Sequence, residues 1–213
     1  MTNEGSGFGW ESFPVTSETG YNSVIFRITA DGNGQALNET KGPVLFLHGM
    51  YSSPEDWIKR SDPATGSTPI QLAEAGYDVW IGCTRGRPPT TTHATLNLED
   101  PDDQKSYWDY TFEQVGNEDV STMVDKIIES RYESCTKVTL VTHSSAANSS
   151  LALATNESKN LSEKVSQIVT LAPCLQINFD EFWLPVRDLA SIVAFYELIE
   201  EDGIYSMFGT DME

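Results

Sequence analysis

Lys137-Val138-Thr139-Leu140-Val141-Thr142-His143-Ser144-Ser145-Ala146-Ala147-Asn148 is the stretch on which the reading of this chain turns. Its first half alternates and is rich in β-branched residues, the pattern of a buried strand. Its second half is made of small residues that suit the first turn of a helix. His143-Ser144-Ser145 sits at the junction. A sharp strand-to-helix turn of this kind, a nucleophile elbow, holds one serine hydroxyl out over the end of a sheet. The usual elbow has glycine two residues before and two after the serine, and here those positions are Thr142 and Ala146. Two readings follow. Either Ser144 is the nucleophile of an ester hydrolase, or the segment is an ordinary strand, turn and helix in which Ser144 or Ser145 is an N-cap.

The flanking sequence supplies context. Lys41-Gly42-Pro43 leads into Val44-Leu45-Phe46-Leu47, an all-apolar run typical of a strand covered on both faces. That run ends in His48-Gly49-Met50, where Gly49 permits a tight turn. Ser52 or Ser53 followed by Pro54 marks a helix start, and Thr68-Pro69 to Ala75-Gly76 marks a second short helix. Tyr77 to Gly82 reads as another buried strand, and Cys83 to Pro101 as a long irregular segment. Between Tyr110 and Arg131, apolar residues from Phe112 to Ile128 fit one face of an amphipathic helix, broken or begun afresh near Gly116. A helix from Ser145 to about Thr155 follows the elbow, then a strand from Val165 to Ala172. Residues 8–30 read as a β-hairpin, with a turn at Thr16 to Gly20. A hairpin followed by alternating strands and helices predicts an α/β architecture, a mostly parallel sheet with crossover helices on both faces.

Bulk composition narrows the function classes. A chain of 213 residues suffices for one domain with a real core. A hydrophobic content of 39% marks it as globular rather than disordered. Thirty-two acidic residues against 13 basic ones give a formal net charge of -19, a field that repels nucleic-acid phosphates and anionic lipid head groups. A nucleic-acid partner is therefore disfavoured. Cys83, Cys135 and Cys174 form no CxxC pair, so neither a metal site nor a thioredoxin-like site is expected, and Cys83 and Cys174 read as buried free thiols. No cofactor is implied. No stretch approaches the roughly 18 apolar residues of a membrane span. The polar start Met1 to Gly7 lacks the basic-then-apolar pattern of a signal peptide, so none is expected in this chain. After Pro173 the composition changes. Phe179 to Ile199 is apolar around most of a helix, which suits either an ordinary buried helix or a face toward a lipid-like ligand.

Set in order, several segments resemble the acid lipase family of α/β hydrolases, the gastric and lysosomal lipases. They are Pro43 to Met50, Trp57, Leu72 to Gly82, Thr84-Arg85-Gly86, His93 to Leu96, Tyr107 to Glu113, Asp119, the elbow, and Leu171-Ala172-Pro173. The resemblance runs from about Phe8 to Pro173, the N-terminal part of the family only, and is fainter beyond. It implies an incomplete α/β-hydrolase fold over residues 1–174, a mostly parallel sheet with an N-terminal antiparallel hairpin. Residues 175–213 would then be the start of a helical cap over the acyl-binding cleft. It implies that Ser144 is the catalytic serine and that the backbone N–H groups of Met50 and Ser145 form the oxyanion hole. Arg85 and Asp119 match positions read as structural. The substrate implied is a lipid ester of the triglyceride or sterol ester class. The compartment implied is secreted or lysosomal.

This sequence departs from the family pattern in two places. The elbow glycines are replaced by Thr142 and Ala146. The fold's triad runs Ser, then Asp or Glu, then His on loops after later strands, and no counterpart of that acid or base is found here. The histidines present are His48, His93 and His143. His93 is the candidate for a non-standard base. Three functions are therefore expected to compete: a lipase-like serine ester hydrolase, a catalytically inactive lipase-derived module serving as a binding or structural subunit, and an esterase with His93 as its base. The strand at 166–172 is expected to leave an open sheet edge, a hazard unless other chain, such as a second polypeptide, covers it.

Overall fold

The computed structural model describes residues 8–59, 66–131 and 137–173. Within them the hairpin forms as β1 (Gly9–Thr16) and β2 (Asn22–Ala30), paired antiparallel. The apolar runs become β3 (Pro43–Leu47), β4 (Asp78–Cys83), β5 (Val138–His143) and β6 (Val165–Leu171). The helices are α1 (Pro54–Ile58), α2 (Thr68–Glu74), α3 (Pro101–Trp108), α4 (Phe112–Gln114), α5 (Ser121–Ser130), α6 (Ser145–Thr155) and α7 (Leu161–Lys164). The described strands make one sheet in the order β1-β2-β4-β3-β5-β6. The β3–β4, β3–β5 and β5–β6 pairs are parallel, and the hairpin joins through an antiparallel β2–β4 pair. This is the mostly parallel sheet with an antiparallel hairpin that the sequence predicts.

Strand alternation divides the core into two layers. Leu45, Leu47, Trp80, Val138 and Leu140 face Met123, Val124 and Ile127 of α5 and Leu153 of α6. Val44, Phe46, Val79 and Ile81 face the other way, onto Ile70 and Ala73 of α2, with Trp57 of α1 packed against them. Phe46 meets Trp57 edge to face with ring centroids 5.0 Å apart. Helices cover both faces because parallel strands need crossovers that pack back on the sheet. β6 ends the sheet. Among the described residues it has no neighbour on its far side, and most of its side chains are partly or fully exposed.

Two segments differ from the sequence reading. Helix α3 follows directly on the stretch taken as irregular. The Asp100 carboxylate caps it by accepting the N–H groups of Asp102 and Asp103, and Pro101 opens it. The single amphipathic helix expected over 110–131 resolves into α4, a π-helical segment (Val115–Val120) and α5. The break falls at Gly116, as expected, and packing against α6 explains it. A Cβ on Gly116 would lie 2.0 Å from the Ser149 carbonyl oxygen. Only glycine lets the two backbones meet this closely, and the widened turn is a local adjustment to that contact. The proposed cap at 175–213, the apolar helix within it, Cys135 and Cys174 lie outside the described residues.

Candidate active site

β5 ends and α6 begins across a single residue, Ser144, which adopts φ 53° and ψ -119°. A side-chain-bearing residue rarely takes this conformation, and holding it costs on the order of 1–3 kcal/mol. The neighbours hold it in place. The Ser144 N–H donates to the Leu171 carbonyl at the end of β6 (3.0 Å), and the Ser144 carbonyl accepts from the Ala147 N–H (3.0 Å). The hydroxyl makes no capping hydrogen bond to α6, so Ser144 sits at the helix start without serving as a side-chain cap. Ser145 is the first residue of α6. Its N–H therefore has no partner within the helix and lies at the positive end of the helix dipole.

The two altered elbow positions are absorbed by burial. Thr142 and Ala146 are both buried, and the Thr142 Oγ1 donates to the Val169 carbonyl of β6 at 3.4 Å. The β-branched Thr142 is thus seated against the adjacent strand.

The turn after β3 lies against the serine. A Cβ on Gly49 would fall 2.9 Å from the Ser144 Cβ and 3.1 Å from the His143 Nδ1. Glycine is thus required by the approach of the two loops. The Gly49 carbonyl accepts the Ser52 N–H at 3.2 Å, which closes a turn with Tyr51 at φ 61°. A positive φ at this position is the mark of a type II turn, usually met by glycine. Three large apolar side chains on these segments stand in solvent: Met50 and Tyr51 on the turn, and Leu171 beside the elbow, at 50%, 57% and 42% exposure. Sequence alternation gave no sign that Leu171 would border the serine. It does so because β6 runs parallel to β5 in a register that pairs His143 with Leu171.

The three histidines have different surroundings. His48 is buried, with Nδ1 2.9 Å from the Gly49 carbonyl oxygen. Burial pushes its pKa below the usual imidazole value, which keeps the ring neutral. His143 is exposed and points its ring edgewise at Trp57, centroids 6.5 Å apart. His93 accepts the backbone N–H groups of Thr95 and Leu96 on Nδ1, each at 3.2 Å. Its ring stands edge-on to Tyr21 (4.8 Å) and Tyr107 (6.4 Å). A hydrogen in place of a Gly20 side chain makes room for it, since a Cβ there would fall 2.6 Å from the His93 Cε1.

His93 thus belongs to a second polar cluster, built around Arg85. Buried Arg85 donates from Nη2 to Asp119 Oδ1 (2.5 Å) and Glu118 Oε2 (2.6 Å), and from its backbone N–H to Asp119 Oδ2 (2.8 Å). Its guanidinium carbon lies 3.6 Å from the Tyr21 ring centroid. The Tyr107 hydroxyl donates to the Thr90 carbonyl and accepts the Gly86 N–H, each at 3.1 Å. The Cys83 thiol, buried at the end of β4, is pushed up to about 12 by desolvation and is unreactive at neutral pH. Among the described residues, no three His, Cys, Asp or Glu side chains are grouped to hold a metal ion, and no helix is long and apolar enough to cross a membrane.

A strained serine at the carboxyl end of a parallel strand, backed by a glycine turn from the neighbouring strand, defines a partial α/β-hydrolase fold. The Pyrococcus furiosus esterase Pf2001 shares it, with a TM-score of 0.56 at 16% identity over 93% of this chain and 64% of that one. In sequence the chain is acid-lipase-like. It is 30% identical to the gastric triacylglycerol lipase of Homo sapiens over 81% of its own length and 41% of that protein's. It is 29% identical to the Mus musculus enzyme of the same name, over 82% and 42%. Against the lysosomal acid lipase/cholesteryl ester hydrolase of Macaca fascicularis it is 27% identical, over 81% and 41%. The chain therefore spans about two-fifths of the length of the curated relatives it matches. No protein-family profile matches it.

Proposed function

We propose that this chain carries the nucleophile half of a lipase-type carboxylic ester hydrolase. Ser144 is the nucleophile, and the N–H groups of Met50 and Ser145 receive the oxyanion. The observation that carries the reading is the Ser144 backbone at φ 53° and ψ -119°, held between β5 and α6 with Gly49 against it. Strain of this kind persists where the surroundings over-determine it, and it exposes the hydroxyl where a capping serine would hide it. Attack by the Ser144 oxygen on an ester carbonyl forms a tetrahedral oxyanion. Two backbone donors converging on that oxygen supply a few kcal/mol each, about 2.7–4, and tolerate changes of side chain. Met50, Tyr51 and Leu171 offer an apolar border for the acyl part of a lipid ester of the triglyceride or sterol ester class.

The general base is assigned to none of the described histidines. His48 is buried on Gly49, His93 has Nδ1 engaged by two backbone N–H groups, and His143 abuts Trp57. This same observation favours a second reading, a lipase-derived module that binds lipid esters without turning them over, its open β6 edge covered by a neighbour. Hydrolysis of short- and long-chain chromogenic esters by the full chain and by Ser144→Ala separates the two. Turnover abolished by the substitution supports the enzyme. Binding of a long-chain ester with no turnover supports the module.

A further inference from the structure

We infer that His48 is the positioning residue of the oxyanion turn: its Nδ1–H, engaged by the Gly49 carbonyl, fixes the Gly49–Met50 peptide plane and so the direction of the Met50 N–H. The inference rests on the reading of Met50 as an oxyanion donor and adds to it the group that aims it.

Gly49 must be glycine, because a Cβ would lie 2.9 Å from the Ser144 Cβ. Glycine brings backbone freedom with it, and the peptide it precedes can rotate more readily than any other. A donor hole needs the opposite, an N–H whose direction is settled before the charge develops. In a planar trans peptide the C=O and N–H point in opposite directions. Anchoring the Gly49 oxygen therefore aims the Met50 N–H.

Two donors anchor that oxygen: the Ser52 N–H at 3.2 Å, across the turn, and the His48 ring at 2.9 Å. The Ser52 bond closes the turn, and the ring bond adds a second restraint on rotation. A carbonyl oxygen can only accept, so the His48 Nδ1 carries the hydrogen. Burial keeps the ring neutral, which leaves Nε2 bare, and that atom has no hydrogen-bond partner among the described residues. A swap of tautomers would give up this bond, and burial opposes a second proton on Nε2. That fits a fixed brace and not an acid or base. The ring itself is buried, just past the end of β3.

The test uses the full chain in three forms: wild type, His48→Phe and His48→Asn. Phenylalanine fills the space without a donor. The asparagine amide nitrogen can donate from a place close to that of Nδ1. Saturation kinetics of fluorophosphonate labelling at Ser144 give a maximal rate and a half-saturating probe concentration. In His48→Phe the maximal rate is expected to fall about tenfold or more with the half-saturating concentration little changed, and His48→Asn is expected to recover most of it. Wild-type rates in folded His48→Phe would overturn the assignment. Nitrogen-15 spectra of wild-type His48 supply a readout independent of labelling. An Nδ1-protonated ring with coupling to the Gly49 carbonyl supports the brace, and an Nε2-protonated ring overturns it. If wild type takes no label, the esterase reading fails and the spectra alone decide the brace.

Discussion

Two polar clusters lie past the carboxyl ends of β4 and β5, the two strands that flank β3, and they are built in opposite ways. Around Arg85, past the end of β4, opposite charges and aromatic rings close on one another. Arg85 and Asp119 are fully buried, Glu118 and Tyr21 pack over them, and His93 is fixed by backbone N–H groups at the rim. Around Ser144, past the end of β5, no charge pair is found among the described residues, the backbone is strained, and the bordering apolar side chains face solvent. A cluster whose groups satisfy each other is a structural brace. A cluster with a strained backbone and exposed apolar borders has the character of a binding or reaction site, as proposed above for Ser144. The contrast also explains why His93, the histidine in the longest loop, is a poor candidate for the missing base. It is part of the brace.

Asp119→Ala would leave the Arg85 guanidinium buried without its main partner. It is expected to lower unfolding stability by about 3–5 kcal/mol, read as a shift in the denaturant midpoint. A shift below about 1 kcal/mol would break the distinction between the two clusters. Gly116→Ala addresses the seat of α6 beneath the elbow. Its Cβ would meet a backbone carbonyl at 2.0 Å, so a loss of about 3 kcal/mol is expected, measured the same way. Thr142→Val keeps the shape of the residue that replaces an elbow glycine and removes its bond to Val169. A cost of about 1 kcal/mol is expected by thermal unfolding, with Ser144 reactivity largely kept.

The smallest effect concerns Asp56. Its carboxylate is hydrogen-bonded by Lys59, Ser52 and the Ser53 N–H, and so tethers the residue that closes the Gly49 turn. The Lys59 and Ser52 bonds hold its pKa down, to about 2 from an ordinary 3.8. A depressed carboxylate contributes stability above its ordinary value and loses it as pH falls through the lowered one. Wild type should therefore lose this small contribution between about pH 4 and about pH 2, and Asp56→Asn should lack that part of the acid limb. The substitution itself is expected to cost about 0.5 kcal/mol at neutral pH, the low end for a cap.

Much of this was legible in the sequence. The apolar runs at 44–47, 78–82 and 138–142 and the small residues after Ser144 were enough to order the strands and locate the elbow, because periodicity is local. Asp100-Pro101 is also a local signal, an N-cap followed by a first-turn proline, but it stands in a segment without helical periodicity. What could not be read was set by contacts between distant segments. The π-helical turn at Gly116 exists because Ser149 lies beneath it, and the border of Leu171 on Ser144 exists because β6 pairs in one register and not another. Nor could spacing say that His93 would be captured by Tyr21 and Tyr107.

The central claim is that Ser144 is a nucleophile and the Arg85 cluster is scaffolding. Reaction of the full chain with a fluorophosphonate probe, followed by mass mapping of the labelled peptide, tests it most directly. One label on the peptide holding Ser144, absent in Ser144→Ala, is the result predicted. A folded chain that takes no label, or is labelled elsewhere with equal ease, would contradict it.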